Sequence, residues 1–313
     1  MITSQPLVSI VVPAFNAQPY IDETVQSILA QTYPNLEIIL LDDGSTDQTW
    51  AKLQVYSGRC HVETHPNMGQ AATLNKGWTL ARGEIIGYLS ADDRLAPHAV
   101  AVAVAQLTAK PDVVLVYPDY ELIDEMSQRF SIVRAPDYSY ERIVLRGECP
   151  IGPGAFFRRK LFEDAGGWDT RLRQIPDYEF WLRCGLFGAM ERVDQVLASF
   201  RVHGSSQTFA AADEAKAAEY LYVMDKYFCR TDIPSQIRSN SRLAYSNALI
   251  LTARLHLRSG RYRFGAAALK EAARWSWRTL LRRRSIKLIL NGLFGRWKHE
   301  TKQVLLKKIN VNR

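Results

Sequence analysis

The chain has 313 residues, of which 47% are hydrophobic and 23% charged, an ordinary globular composition with ample material for a core in one large domain or two small ones. No apolar run approaches the ~18 residues that a bilayer-spanning helix needs, which excludes that class of membrane protein. The net charge of +8 is unevenly placed: Arg254 to Arg313 carries 17 Lys and Arg against 2 acidic residues, leaving 23 basic and 30 acidic residues elsewhere, so an acidic body bears a basic arm suited to an anionic surface.

Leu7 to Val12 (LVSIVV) is a continuous apolar, β-branched run with no basic segment before it. It reads as the first strand of a sheet covered on both faces, not as a signal peptide. It ends at Pro13-Ala14-Phe15-Asn16. Tyr20 to Gln31 then places Ile21, Val25, Ile28 and Leu29 on one helical face. Leu36 to Leu41 (LEIILL) is a second buried strand that stops at Asp42-Asp43, and Gly44-Ser45-Thr46-Asp47 supplies a tight turn and a helix cap. His61 to His65 is a short third strand and Gln70 to Ala81 a helix. Strand and helix alternate, which predicts a right-handed parallel sheet of nucleotide-binding type.

Gly83 to Pro97 (GEIIGYLSADDRLAP) continues the pattern with a fourth strand that runs straight into Ser90-Ala91-Asp92-Asp93. Adjacent carboxylates at the end of a buried strand repel and cost desolvation, which a hard divalent cation relieves. Ligands of open α/β sheets bind beyond the carboxyl ends of the strands, where these residues lie. Capping the next helix is the plainer role for Asp92 and Asp93, as it is for Asp42 and Asp43. Ala99 to Leu107 reads as a helix, Val113 to Tyr117 as a fifth strand, and Pro118 to Arg146 as irregular. Phe156-Phe157 follows a glycine loop, Leu161 to Ala165 is a short helix, and Tyr178 to Phe187 is a helix entered through Ile175-Pro176-Asp177. Val193 to Val202 reads as the last strand. From Asp213 onward Ala, Leu, Lys and Arg dominate, and three or four helices fit, including a hairpin of Asn247 to Leu257 with Arg263 to Trp275. Cys60, Cys149, Cys184 and Cys229 are far apart with no metal-type spacing, which points to a reduced, cytoplasmic compartment.

Five motifs in order resemble the inverting family-2 glycosyltransferases. They are VSIVVPAFNA at Val8, LLDDGSTDQT at Leu40, Asn67-Met68-Gly69 through Asn75 to the Asp92-Asp93 stretch, GPGAFFRR with GGWD and PDYEFWLR ending at Arg183, and FRVHGSSQT at Phe200. The resemblance covers Leu7 to Thr208. It implies a GT-A fold with a mostly parallel central sheet over residues 1–210, followed by an α-helical basic region over 211–313. It also implies transfer of a sugar from a nucleotide-diphosphate sugar, UDP having the highest expectation, to an acceptor hydroxyl with inversion. By the same resemblance Asp177 is the general base, with Glu179 as the alternative, and Asp177 capping its helix is the plainer role. Pro13, Ala14, Asn16, Asp43, Asp92 and Arg201 bind the donor. One of Asp92 and Asp93 ligates Mg²⁺ or Mn²⁺ and the other binds the ribose hydroxyl, either assignment being open, with His203 at the metal or diphosphate and Ser205 and Ser206 as further phosphate donors, although a lone histidine is commonly structural. Ser90 stands where the family often has another aspartate, and Pro176 where it often has an acidic residue.

The basic arm interleaves Trp275, Trp277, Leu280 and Leu281 with Arg282-Arg283-Arg284, and Ile286, Ile289, Leu290, Leu293 and Trp297 recur at helical spacing. That pattern suits an interfacial membrane helix, or else an apolar face packed on the body or a partner. No nucleic-acid motif is present. The expected place of work is the cytoplasm, peripheral to the inner face of a membrane, with a glycan or lipid-linked acceptor in surface polysaccharide or glycolipid synthesis. A sugar-1-phosphate nucleotidyltransferase would need a Gly-rich basic loop after the first strand, and PAFNAQPY is not one. A non-catalytic adaptor of transferase type remains the other class, favoured only by Ser90 and Pro176.

Overall fold

The computed structural model describes residues 5–204 and 212–294. They form two compact units. One takes in the chain up to Ser139 with Pro150–Arg171 and Pro176–Gly204; the other takes in Tyr140–Cys149, Leu172–Ile175 and the described residues beyond 204.

The first unit opens with β1 (Val8–Ala14), α1 (Ile21–Leu29), β2 (Leu36–Asp42), α2 (Thr49–Gln54), β3 (His61–Thr64), α3 (Gln70–Leu80) and β4 (Ile85–Tyr88). These four strands are parallel, in the order β3-β2-β1-β4. Every residue of β1 is buried, as a strand covered by helices on both faces requires. Val8, Ile10 and Val12 join Ile21, Val25 and Ile28 of α1 in one core. Val11 points to the other face, where a Cβ at Gly77 of α3 would lie 2.3 Å from its Cγ1. That glycine lets α3 sit directly on the sheet.

The sheet continues through β5 (Arg94–Leu95), β6 (Val113–Ile123), β7 (Arg129–Val133), β8 (Phe156–Arg158) and β9 (Ala189–Arg201), with α4 (Ala99–Ala109), α6 (Arg159–Ala165) and α7 (Pro176–Cys184) around it. β8 is antiparallel to both β4 and β6, while β6 and β9 form a long parallel ladder. The fold is thus α/β, with parallel order in its longest ladders. Two expectations change here. Pro118 does not end the fifth strand: β6 runs on to Ile123, because the β6–β9 register shifts between Pro118 and Asp119 and so tolerates a residue without an N–H. The stretch after it is not irregular either, since β7 pairs with β6 and α5 (Tyr140–Arg146) follows.

The second unit is helical: α5, α8 (Glu214–Phe228), α9 (Ser235–Ser239), α10 (Ser241–Arg258), α11 (Tyr262–Leu280) and α12 over 283–294. The amide of Asn247 on α10 donates to the Leu145 carbonyl of α5 at 2.9 Å, and Thr252 donates to Ala217 of α8 at 3.0 Å. No helix among the described residues is long and apolar enough to cross a membrane.

Candidate functional site

The parallel strands deliver their loops to one edge of the sheet. Ala14 pairs with Asp42, and the next residue, Asp43, donates its N–H to the Ala14 carbonyl at 2.8 Å. The Asp43 side chain is buried and accepts from the amides of Met68 at 2.7 Å and Gly69 at 2.9 Å. Its carbonyl accepts from the Asn67 side chain at 2.9 Å, and His65 Nδ1 lies 3.6 Å from Oδ1. Asp43 therefore pins the 67–69 loop in place. Gly44 makes the turn possible: its φ is +69°, and a Cβ there would meet the Asn67 nitrogen at 2.8 Å. Asp42 accepts from the Thr64 hydroxyl at 2.7 Å, so its role is local. Pro13 and Ala14 are buried in β1, whereas Asn16 is exposed with φ +48° and accepts from the Thr46 amide at 2.8 Å.

Beyond β4 the two aspartates part company. Asp93 turns inward and accepts from the Arg201 amide of β9 at 2.8 Å. Burial and the adjacent Asp92 charge push its pKa well above the usual carboxylate range. Asp92 turns outward, with its side chain 28% exposed and Oδ2 2.8 Å from His203 Nε2. The His203 ring rests 4.9 Å from that of Tyr20.

Arg201, expected to face the donor, is placed differently. Its side chain is 0% exposed. Nε donates to the Asp92 carbonyl at 2.8 Å, the two other nitrogens reach the Asp124 carbonyl, the Ser127 hydroxyl and Glu23, and the guanidinium lies 4.7 Å over Tyr20. A guanidinium's rigid fork suits such an enclosed position. Although burial opposes it, Ser127, Arg201 and Arg94 hold the Glu23 carboxyl below its ordinary range. Arg201 thus braces the Asp92 loop from behind and turns no face to open space. Glu23, in the first turn of α1, carries no sequence signal for this role, since its partner is 178 residues away.

Among the described residues no group of three or more His, Cys, Asp and Glu is arranged as a metal cage. The donor set that does exist is Asp92 with His203, a hard oxygen beside an imidazole nitrogen. It fits a divalent ion whose remaining positions are filled by ligand oxygens and water. Asp93, bonded to β9, is not part of the outward pair. Ser205, Ser206 and Thr208 lie outside the described residues.

Asp177 opens α7 and is half-buried. Burial raises its pKa, against the opposing pull of its own amide and that of Tyr178. Phe180, three residues on and so on the same helix face, lies 5.2 Å from Trp78 of α3 and 5.9 Å from Phe157 of β8. Tyr88, at the end of β4, joins the same nest through Trp78 and Trp168. The packing thus links the α7 entrance to the β4 edge. Glu179, the alternative base, is buried and held by both Nε and Nη2 of Arg183, at 2.7 and 2.8 Å. Arg183 also donates to the carbonyls of Ala165 and Gly167, so this buried pair is structural. Trp181 is core. Asn75 grips the GGWD turn from α3, accepting from the Trp168 amide at 2.7 Å and donating to its carbonyl at 2.8 Å.

The family model described as "Glycosyl transferase family 2" matches residues 9–166. An uncharacterized glycosyltransferase of Rickettsia typhi is 32% identical over 228 residues, 70% of this chain and 71% of that one. Escherichia coli chondroitin synthase is 29% identical over 227 residues, 70% of this chain but 32% of the synthase. Among solved structures, S. aureus TarS 1-349 in complex with UDP-GlcNAc has a TM-score of 0.64 at 15% identity, covering 86% of this chain and 89% of that one. Mannosyltransferase PcManGT from Pyrobaculum calidifontis, in complex with GDP-Man and Mn²⁺, has a TM-score of 0.62 at 20% identity, covering 93% and 85%. The chain belongs to glycosyl transferase family 2 and has the GT-A fold of that family.

Proposed function

We propose that this glycosyltransferase moves a sugar from a nucleotide-diphosphate sugar, with UDP the first candidate, to an acceptor hydroxyl with inversion. The reading rests on one observation above the rest: the Asp92–His203 pair beyond the end of β4, where parallel strands end. Asp43 and Asn16 border the donor's base, and the Asp92 loop borders the ribose and diphosphate. Arg201 serves the donor by bracing that loop. A divalent ion at Asp92 and His203, Mg²⁺ or Mn²⁺, would supply stabilisation of the negative charge gathering on the departing diphosphate. Asp177 takes the proton from the acceptor hydroxyl as its oxygen bonds to the anomeric carbon, and the bond from that carbon to the diphosphate breaks on the opposite face. A raised pKa suits a carboxylate for that task.

The named relatives support a polysaccharide product, since one is a chondroitin synthase. The ligands named with TarS and PcManGT support a nucleotide-sugar donor, and the second supports a divalent ion. We place the acceptor on a surface polysaccharide or glycolipid and the protein at the cytoplasmic face of a membrane, touched through its basic C-terminal region. A thermal-shift panel of UDP-, GDP- and dTDP-sugars with and without Mn²⁺ tests the reading. One donor should raise the melting temperature only with the metal, by mass action, and that donor should then be turned over. No shift from any nucleotide diphosphate overturns it.

A further inference from the structure

Among its described residues the second unit carries an amphipathic surface that their own packing leaves uncovered. α11 is broken at Ser276, whose φ and ψ are −162° and 94°. On the inner side of the break Trp275 stacks on Tyr245 at 4.6 Å, and Leu280, Leu288 and Ile289 pack around Leu249, Ile250 and Ala272. α12 is seated closely: Ser285 is buried, and a Cβ at Gly292 would meet the Arg254 carbonyl at 3.0 Å. Positions 285, 288, 289 and 292 thus form the inner stripe of α12.

The opposite stripe is apolar too. At 3.6 residues per turn, Ile286, Leu290, Leu293 and Phe294 share one arc of roughly 100°, and all four are exposed. Trp277 and Leu281, one helical turn apart before α12, are 60% and 67% exposed. A helix needs one apolar face to join a core, so the second face of α12 is available to something else.

Charge identifies the occupant. Arg278, Arg282, Arg283 and Lys287 border these side chains and are exposed. None has an acidic partner among the described residues, and no Asp or Glu occurs between Glu271 and Glu300. Arg278 lies 5.6 Å over the Trp277 ring. Arg284, by contrast, is neutralised by Glu148 at 2.7 Å. Unpaired cations beside protruding Trp, Leu and Phe match the boundary between anionic headgroups and acyl chains. They oppose self-association, because two copies would bring like charges together. We propose that Trp277, Leu281 and the outer face of α12 dock this protein on a bilayer surface bearing anionic lipid. This refines the membrane contact suggested above; catalysis is not needed for it.

Vesicle co-sedimentation of the full chain tests the surface, with phosphatidylcholine alone and with phosphatidylcholine mixed with phosphatidylglycerol. Binding to the mixed vesicles should be at least about tenfold tighter and should weaken with salt. Leu281→Ser with Leu290→Ser should lower it by at least about tenfold, since two apolar anchors leave the acyl boundary. Replacing Arg278, Arg282, Arg283 and Lys287 by Gln should abolish only the preference for anionic vesicles. Brominated lipid should quench fluorescence in the wild type, with that loss reduced in Trp277→Phe. Unchanged vesicle binding in the Leu281→Ser, Leu290→Ser protein overturns the proposal. So does wild type indifferent to both vesicles, or a dimer by light scattering that those two substitutions dissociate. The thermal shift with nucleotide-sugar separates the two readings: lost docking with that shift intact refutes the surface alone, and docking without any shift refutes the donor assignment alone.

Discussion

Oδ2 of Asp92 lies 2.8 Å from Nε2 of His203, 111 positions further along the chain. The contact exists because β5, which directly follows the Asp92 loop, pairs antiparallel with the end of β9, and because Arg201 and Asp93 lock the backbone of that strand end to the Asp92 loop. A largely buried imidazole held against a partly exposed carboxylate pairs a nitrogen and an oxygen donor as a half-site for a cation. His203→Ala should weaken Mn²⁺-dependent UDP binding by roughly 10- to 100-fold, the range for loss of a metal-site partner. Metal-free UDP binding should stay as in the wild type. Calorimetric titration with and without Mn²⁺ reads both values, and equal metal dependence in the two proteins would assign His203 a packing role against Tyr20 only.

Asp177 offers a prediction with two independent readouts. Its pKa is raised by burial, so the folded state holds this proton more tightly than the unfolded chain. The stability it contributes is therefore full below the unfolded pKa and is lost as pH rises through the folded one. At neutral pH the ionised group is a cost, and Asp177→Asn should raise the melting temperature. The same change removes the proton acceptor and should lower transfer by about 10²- to 10⁴-fold. In the wild type the acid limb of kcat/KM should fall at a higher pH than an ordinary aspartate gives. Retained transfer in a more stable Asp177→Asn protein would show that another group takes the proton.

What could be read without coordinates follows from how each element is buried. β1, β2 and β4 are covered on both faces, so they appear as unbroken apolar runs. β5 has two residues, and β7 (RFSIV) is largely exposed, so neither leaves such a run. In the sequence Pro118 ends the strand over 113–117, because proline argues against a strand unless a bulge accommodates it, and bulges depend on the partner strand. Among the candidate site residues, Asp43, Asp92, Asp177 and His203 stand out in the sequence as polar groups at strand or helix ends. The opposite orientations of Asp92 and Asp93 do not, because neighbours in a turn have identical sequence context. The place of Arg201 is hidden for a similar reason: a charge gives no direction, and its enclosure depends on Glu23, Asp124 and Ser127, none of them near it in sequence.

Arg201 should behave as a brace. Arg201→Met leaves Glu23 with Arg94 as its one remaining cation, the Asp92 carbonyl without its guanidinium donor, and the Asp124 carbonyl with the Ser127 amide alone. The expected cost is roughly 3 kcal/mol, the lower end for breaking a buried pair, because Glu23 keeps some solvent. Urea denaturation reads it as a lower midpoint at unchanged slope. Donor affinity should fall in Arg201→Met and recover partly in Arg201→Lys, which restores charge without the fork. If Arg201→Met keeps wild-type stability and loses only donor affinity, the guanidinium contacts the donor directly.

Glu179 and Asp177 are two residues apart, yet their environments predict opposite phenotypes. Glu179 is paired in both oxygens with Arg183, which in turn holds the carbonyls of Ala165 and Gly167 at the turn that Asn75 grips from α3. Glu179→Gln strands a buried guanidinium and should destabilise the protein by about 3–5 kcal/mol, with unfolding at lower denaturant. Glu179→Gln combined with Arg183→Met should recover much of that loss, because the uncompensated charge is gone and a shape-matched apolar group replaces it. Transfer per folded molecule, corrected by active-site titration with nucleotide, should remain within a few-fold of wild type in Glu179→Gln, a change far smaller than loss of a general base gives. A Glu179→Gln protein of normal stability that cannot transfer would move the base from Asp177 to Glu179 and would require α7 to present its other face to the acceptor.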